Sequence, residues 1–203
     1  VDHLEAFLLG NHEGEVIKRH HTDPLDLLLD RLNRHKTIGR QSHGRISHAG
    51  YTAYIKMQFQ YPRKSGRGQT VTQTVWVHHG RGGGAPVTKG MIDSNRIYAS
   101  RVADVYVIAH KHTSITDQSR YEYCDRYGNI RRDPRDFIIV GGYSGRAQIH
   151  DYDNDGYTLN WSDEQHYELE AQGSARVIFS PHLKRERGNT QRVIKRQVIK
   201  ESA

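Results

Sequence analysis

Apolar residues fall in short clusters along the chain, and three of these clusters stop at residues that ligate metals. Leu4 to Leu9 gives way to Gly10-Asn11-His12-Glu13, Val71 to Val77 to His78-His79-Gly80, and Val105 to Ala109 to His110-Lys111-His112. Each run is short, partly β-branched or aromatic, and bounded by Gly or polar residues, which predicts a strand. If the three share a sheet and a polarity, their ends meet along one edge, where α/β sheets bind ligands. Imidazoles and a carboxamide gathered there suit a transition metal.

The rest of the pattern fills in an α/β chain. Asp23-Pro24 followed by Leu25, Leu28, Leu29 and Leu32 predicts a capped helix with a core-facing stripe. Residues 38–50 are rich in Gly, Ser, His and Arg and read as a loop. From Tyr51 to Tyr61, polar positions (Lys56, Gln58, Gln60, with Tyr54) alternate with Ile55, Met57 and Phe59, as in a half-buried strand. Pro62 to Gln69 reads as a hairpin turn into the next strand. Met91 to Ala103 reads as a helix with Ile92, Ile97, Ala99 and Val102 facing partly inward. Val105 to Ile108 suggests a strand buried on both faces. Further strands are expected at 113–123, 136–140, 146–151, 175–180 and 191–199.

Composition narrows this picture. A 203-residue chain is long enough to bury one substantial core, so one domain spanning 1–203 is expected. No segment approaches the roughly 18 consecutive apolar residues of a membrane span. The single cysteine, Cys124, cannot form an intramolecular disulfide, which favours a reducing, cytoplasmic setting. The formal charge of +7 is uneven. Segment 176–203 holds Arg176, Lys184, Arg185, Arg187, Arg192, Lys195, Arg196 and Lys200, with Glu186 the one acid among them between Arg176 and Lys200. It reads either as a solvated strand or tail or as a surface for nucleic acid.

The order G-N-H-E, then strand-H-H, then strand-x-H-x-H resembles the calcineurin-like metallophosphoesterase superfamily. That family carries GNH(D/E), a strand-terminal His and GHxH in the same order; Ala109 stands here where the last motif has Gly. The resemblance covers roughly Leu4 to His112. It implies an α/β fold: part of a four-layer α-β-β-α sandwich with a strand-rich C-terminal half. The family's D-x-H and GDxxD motifs, which precede GNH, are absent. The chain is therefore expected to be the C-terminal portion of a longer protein, a gene fragment or one half of a split protein. Its missing partner would be the N-terminal portion of the same domain.

The resemblance also implies roles. Asn11, His78 and His110 would hold a second metal, and His112 would reach a first. His79 competes with His78; the strand-end position favours His78, leaving His79 to support a ligand or face substrate. His12 would serve the leaving group as acid or hydrogen-bond donor. Glu13 would support a ligand or start a helix. Apart from the resemblance, Arg45, Arg81 and Lys111 read either as phosphate contacts or as surface residues. The intact enzyme would hydrolyse a phosphomonoester or phosphodiester with two divalent ions, Mn, Fe, Zn or Ni, about 3.5–4 Å apart. Substrate would be nucleic acid, a nucleotide or a phosphoprotein. On extended backbone, His110 and His112 would point one way and Lys111 the other. The rival reading is an inactive nucleic-acid-binding relative that uses the basic segment. Asp151-Tyr-Asp-Asn-Asp-Gly156 resembles the start of a calcium loop but has Ser162 where the twelfth-position Glu belongs.

Overall fold

The computed structural model describes residues 6–38, 45–61, 68–80, 91–111, 113–141, 173–186 and 189–202. The strand expected at 146–151, the calcium-loop resemblance at 151–156, Arg81 and His112 lie outside them.

The chain is mixed α/β. A short strand β1 (Ala6–Phe7) leads into helix α1 (Asn11–His20), then α2 (Pro24–Ile38) and β2 (Ser47–His48), which pairs parallel with β1. Five strands follow: β3 (Thr52–Tyr61), β4 (Gln69–His78), β5 (Val105–Ile108), β6 (Ile115–Cys124) and β7 (Ile130–Ile139), with α3 (Met91–Ser100) between β4 and β5. They form one mixed sheet in the order β3-β4-β5-β7-β6. β4, β5 and β7 run parallel through its centre, flanked by antiparallel β3 and β6. A hairpin of β8 (Gly173–Glu186) and β9 (Asn189–Ser202) closes the chain.

Strand parity explains the layers. Trp76, Tyr106, Phe137, Ile108 and Ile139 share one face, where Ile97 and Tyr98 of α3 pack on them. Ser94 is the buried residue of α3, whereas Ile92 and Val102 are exposed. Of the expected inward set, Ile97 packs on the sheet, joined by Ser94 and Tyr98, while Ile92, Ala99 and Val102 are exposed. β5 is buried on both faces, as its sequence implied: Val105 and Tyr106 are fully covered. A second cluster joins Leu9, Leu25, Leu29 and Ile46, with Phe7, Ile17 and Leu32 against it. Of the expected α2 stripe, Leu28 is instead exposed. Asp23 caps α2 by accepting from the Leu25 and Asp26 amides.

The β8–β9 hairpin lies on the opposite face of the five-stranded sheet from α3. Phe179 stacks on Phe59, and the Tyr61 hydroxyl donates to the Val193 carbonyl at 2.9 Å. The central tie is Arg196, only 6% exposed. Its Nε pairs with Asp136 at 2.5 Å, Nη1 donates to Gln73 at 2.6 Å and sits 3.5 Å from Asp104, and Nη2 donates to the Pro134 carbonyl. Asp136 also accepts from Gln118, and Asp104 from the Thr74 amide. Lys200 donates to the Ser114 carbonyl. Two of the cations of the basic segment therefore hold the fold together. No helix among the described residues is long and apolar enough to cross a membrane.

Arg196→Met should destabilise the protein by about 3–5 kcal/mol, because it strands the buried Asp136 carboxylate. Lys195→Ala, on an exposed neighbour, should change stability by less than about 0.5 kcal/mol. Urea unfolding of the two variants checks this; equal midpoints would show that the network carries no net stability.

Candidate metal centre at the strand ends

The GNHE segment is the first turn of a helix, not a loop. Gly10 is the N-cap of α1 with φ −85° and ψ 165°, so Asn11, His12 and Glu13 sit at the helix's electropositive end. A Cβ at Gly10 would collide with the Glu13 carboxylate and crowd the His79 ring. Its absence lets both approach the backbone. Gly14 acts in the same way a turn later, admitting the Tyr51 hydroxyl against the helix. β1 does not enter the large sheet. Its end is brought to the same edge by the Gly50-Tyr51 bend: Leu9 N–H donates to Gly50 O at 2.7 Å, and His79 N–H to Tyr51 O at 3.0 Å.

At that edge four of the sequence-predicted residues meet. His79 Nε2 lies 3.1 Å from Asn11 Oδ1. The His79 and His110 rings stack with centroids 4.7 Å apart, and His12 meets His110 edge-on at 6.1 Å. Of the adjacent pair, it is His79 and not the favoured His78 that lies beside Asn11 and His110. His78 follows Trp76 on the α3 face and stacks on its indole at 5.4 Å. Its Nδ1 accepts the Gly80 N–H at 2.6 Å. Alternation along β4 sends His79 to the other side, where α1 waits.

The expected alternation at His110-Lys111-His112 does not apply, because β5 ends at Ile108 and His110 is left-handed, with φ 59°. A non-Gly residue in that region is uncommon and strained. The turn sends His110 toward α1 and Lys111 toward α3, where its ammonium pairs with Asp93 at 2.7 Å and is largely buried. Lys111 is thus committed to the other face and does not join the phosphate-contacting set expected beside the imidazoles.

Two imidazoles and a carboxamide are donors of the kind that bind a divalent transition ion, and the His79–Asn11 pair has a matching spacing. Ligands about 2.0–2.1 Å from an ion and at right angles are about 2.8–3.0 Å apart. His79 Nε2 and Asn11 Oδ1 are already near that separation, with a shared proton where a cation would sit. Burial lowers the pKa of His79, opposed by the Glu13 carboxylate and aided by His12. The neutral ring, the form that ligates, is favoured. His78 is also shifted down, by burial first and then by the charges of His79 and Arg101.

A different trio, Asp23, Asp26 and His48, has ligand atoms within 4.8 Å of one another. Two of its three members have partners within the fold. Asp23 caps α2, His48 Nδ1 accepts from the Gly50 amide at 3.1 Å, and His48 Nε2 faces Asp23 at 3.3 Å. The loop reading of 38–50 contained no signal for His48.

Comparison of the chain with protein-family models, curated proteins and solved structures found no match.

His78 and His79 both ionise below their ordinary value of 6.5 in the folded state. Above pH 6.5 both states are neutral and this contribution to stability is fully present. As pH falls below 6.5 the unfolded chain binds protons first, so stability is lost toward the depressed folded values. Melting of chelator-treated protein from pH 8 to 5 should show this decline, and His78→Gln should flatten it. An unchanged slope in the variant would remove His78 from the account.

Proposed function

We propose that this strand edge is part of a metal-dependent phosphoesterase centre of the calcineurin-like type, in a partial α-β-β-α sandwich. The observation that carries the reading is the convergence of Asn11, His79 and His110, drawn from three separate strand ends, on one small volume. Motif order led to the same edge independently. His79 takes the ligand role that motif spacing gave to His78. A divalent ion held there would supply Lewis acidity toward a phosphoryl oxygen.

The chain's own groups do the rest. Asn11 and the two imidazoles are neutral donors, so they leave a bound cation's charge available to substrate. The N-terminus of α1 adds partial positive charge from its unpaired amides. His12 is exposed on the first turn and stands beside His110, in reach of a substrate's departing oxygen. Imidazole exchanges protons near neutral pH, so His12 can protonate that oxygen as its bond to phosphorus breaks. Glu13 folds back over Gly10 beside His79.

The rival nucleic-acid reading of segment 176–203 loses Arg196 and Lys200 to the fold. Among the described side chains of that segment, Arg176, Lys195 and Lys200 are exposed.

Metal analysis after exhaustive dialysis against Mn- or Zn-containing buffer tests the site. Wild type and His78→Ala should retain metal, while His79→Ala and His110→Ala should lose it. Equal metal in His79→Ala and wild type would sink the assignment. If wild type hydrolyses phosphodiesters, His12→Ala should slow an alkyl ester by roughly 10²–10⁴-fold and a p-nitrophenyl ester far less, since only a basic leaving oxygen needs a proton. Equal losses on both esters would assign His12 to phosphate binding instead.

A further inference from the structure

Behind the strand ends, on the α3 side of the sheet, lies a cleft of about 710 Å³ whose walls include Trp76, His78, Arg96, Arg101, Ile108 and Lys111. Its size falls within the range of small-molecule sites, roughly 300–1,000 Å³. We propose that this cleft binds a phosphate-bearing small molecule of mononucleotide size, held by Arg96 and Arg101. The proposal is independent of the metal reading, since the cleft and the His79–His110 edge lie on opposite faces of the same two strands.

Charge is the first argument. Among the described residues that line the cleft, Asp93 is the one carboxylate, and it is engaged by Lys111 at 2.7 Å. Among the described residues no carboxylate pairs with Arg96 or Arg101, whose guanidiniums belong to a cleft walled in part by Trp76, Ile97 and Ile108. A low-dielectric wall focuses that field. The excess matches the charge of a phosphate monoester, about −1.5 to −2 near neutral pH. Guanidinium forks also match phosphate oxygens in shape.

Hydrogen bonding is the second argument. The Gly80 amide donates to His78 Nδ1, which fixes that nitrogen as the acceptor. In the neutral ring the proton is then on Nε2, so His78 offers a donor and not a lone pair. Arg101 is held just past the end of α3 by a hydrogen bond from its backbone N–H to the Ile97 carbonyl at 2.8 Å, and its Nη1 donates to the Ser100 carbonyl at 3.1 Å. Arg101 and His78 both line the cleft. Thr52 adds a hydroxyl on the facing wall. The donors thus come from β3, β4 and the α3 end, elements already fixed by the sheet.

Calorimetry on the full chain in chelator, so that no metal contributes, tests the proposal with AMP, inorganic phosphate and adenosine. AMP should bind wild type, and adenosine should not. Arg96→Gln/Arg101→Gln should weaken AMP at least about tenfold. Both arginines are exposed, so the double variant should keep the wild-type melting temperature. His79→Ala should bind AMP as wild type does. Binding of inorganic phosphate at comparable strength would place the recognition in the phosphate group alone; much weaker binding would add a contribution from the nucleoside, and either result supports the cleft if the arginine variant loses affinity. Absence of AMP binding to wild type, adenosine binding as tight as AMP, or undiminished affinity in the double variant would overturn it. So would loss of AMP binding in His79→Ala alone, which would move the anion to the metal edge.

Discussion

The contact between Gly80 and the backbone of Ala109 decides what each side of the molecule can do. Gly80 has φ +94°, and a Cβ there would overlap the Ala109 carbonyl oxygen. The two strand ends are also joined by the Ala109 amide, which donates to His78 O at 3.2 Å. Two chains leaving parallel strands usually diverge. Here the absence of one side chain lets them stay in contact for a residue beyond the ladder. That contact holds His79 against His110 on one face and His78 near Lys111 on the other. Neighbouring histidines thereby acquire different surroundings, one beside a helix N-terminus and a carboxamide, the other beside an indole and a guanidinium.

The lower half of the sheet is governed by a different constraint, buried charge. Asp104 precedes β5 and gives the Thr74 amide a partner, while Asp136 stands where β7 begins to pair with β5. Asp104 takes the Thr74 amide, and Asp136 takes Gln118 and Arg196. A carboxylate under a hydrophobic sheet is tolerable only when paired. Arg196 therefore does more than attach the C-terminal hairpin. It neutralises charges that the central strands need for their own hydrogen bonding, and so it couples the last element of the chain to the first strands of the sheet.

Much of the fold was legible because strand periodicity is local. β3, β4 and β5 fall where alternation and β-branching placed them, and the Asp-Pro start of α2 is a local signal of the same kind. α1 was less visible. Its Gly10 cap contributes no side-chain hydrogen bond, and the first turn is polar, so the segment looks like a loop. The length of β7 was underestimated because Arg131, Arg132, Asp133 and Pro134 carry no apolar pattern; they pair with β6 at the solvated end of the sheet. Sequence spacing located the candidate site to within one residue but left its parity undecided. Trp76 and His78 share a face, as do Val77 and His79, and nothing local says which face α1 covers. The left-handed turn at His110 was likewise hidden, because its cause is the non-local meeting with Gly80. Arg96 and Arg101 carry no local signal for a similar reason: only the third dimension sets them opposite His78.

The chemistry available to the metal edge follows from its donor balance. Three neutral ligands stabilise a divalent ion less than a carboxylate-rich shell would, because none offsets its charge. The nearby carboxylate, Glu13, is on an exposed side chain of the helix's first turn and also serves the α1 dipole. On the proposed reading, such a shell would bind a cation weakly but leave it strongly electrophilic, which would suit activation of a phosphoryl oxygen better than structural ion storage. The same reasoning separates the two faces of the strand ends. Imidazole lone pairs and an amide oxygen on the α1 side invite cations. Guanidiniums and a protonated imidazole nitrogen on the α3 side invite anions. A single glycine contact keeps these opposite preferences within one residue of each other along the backbone, with the sheet between them.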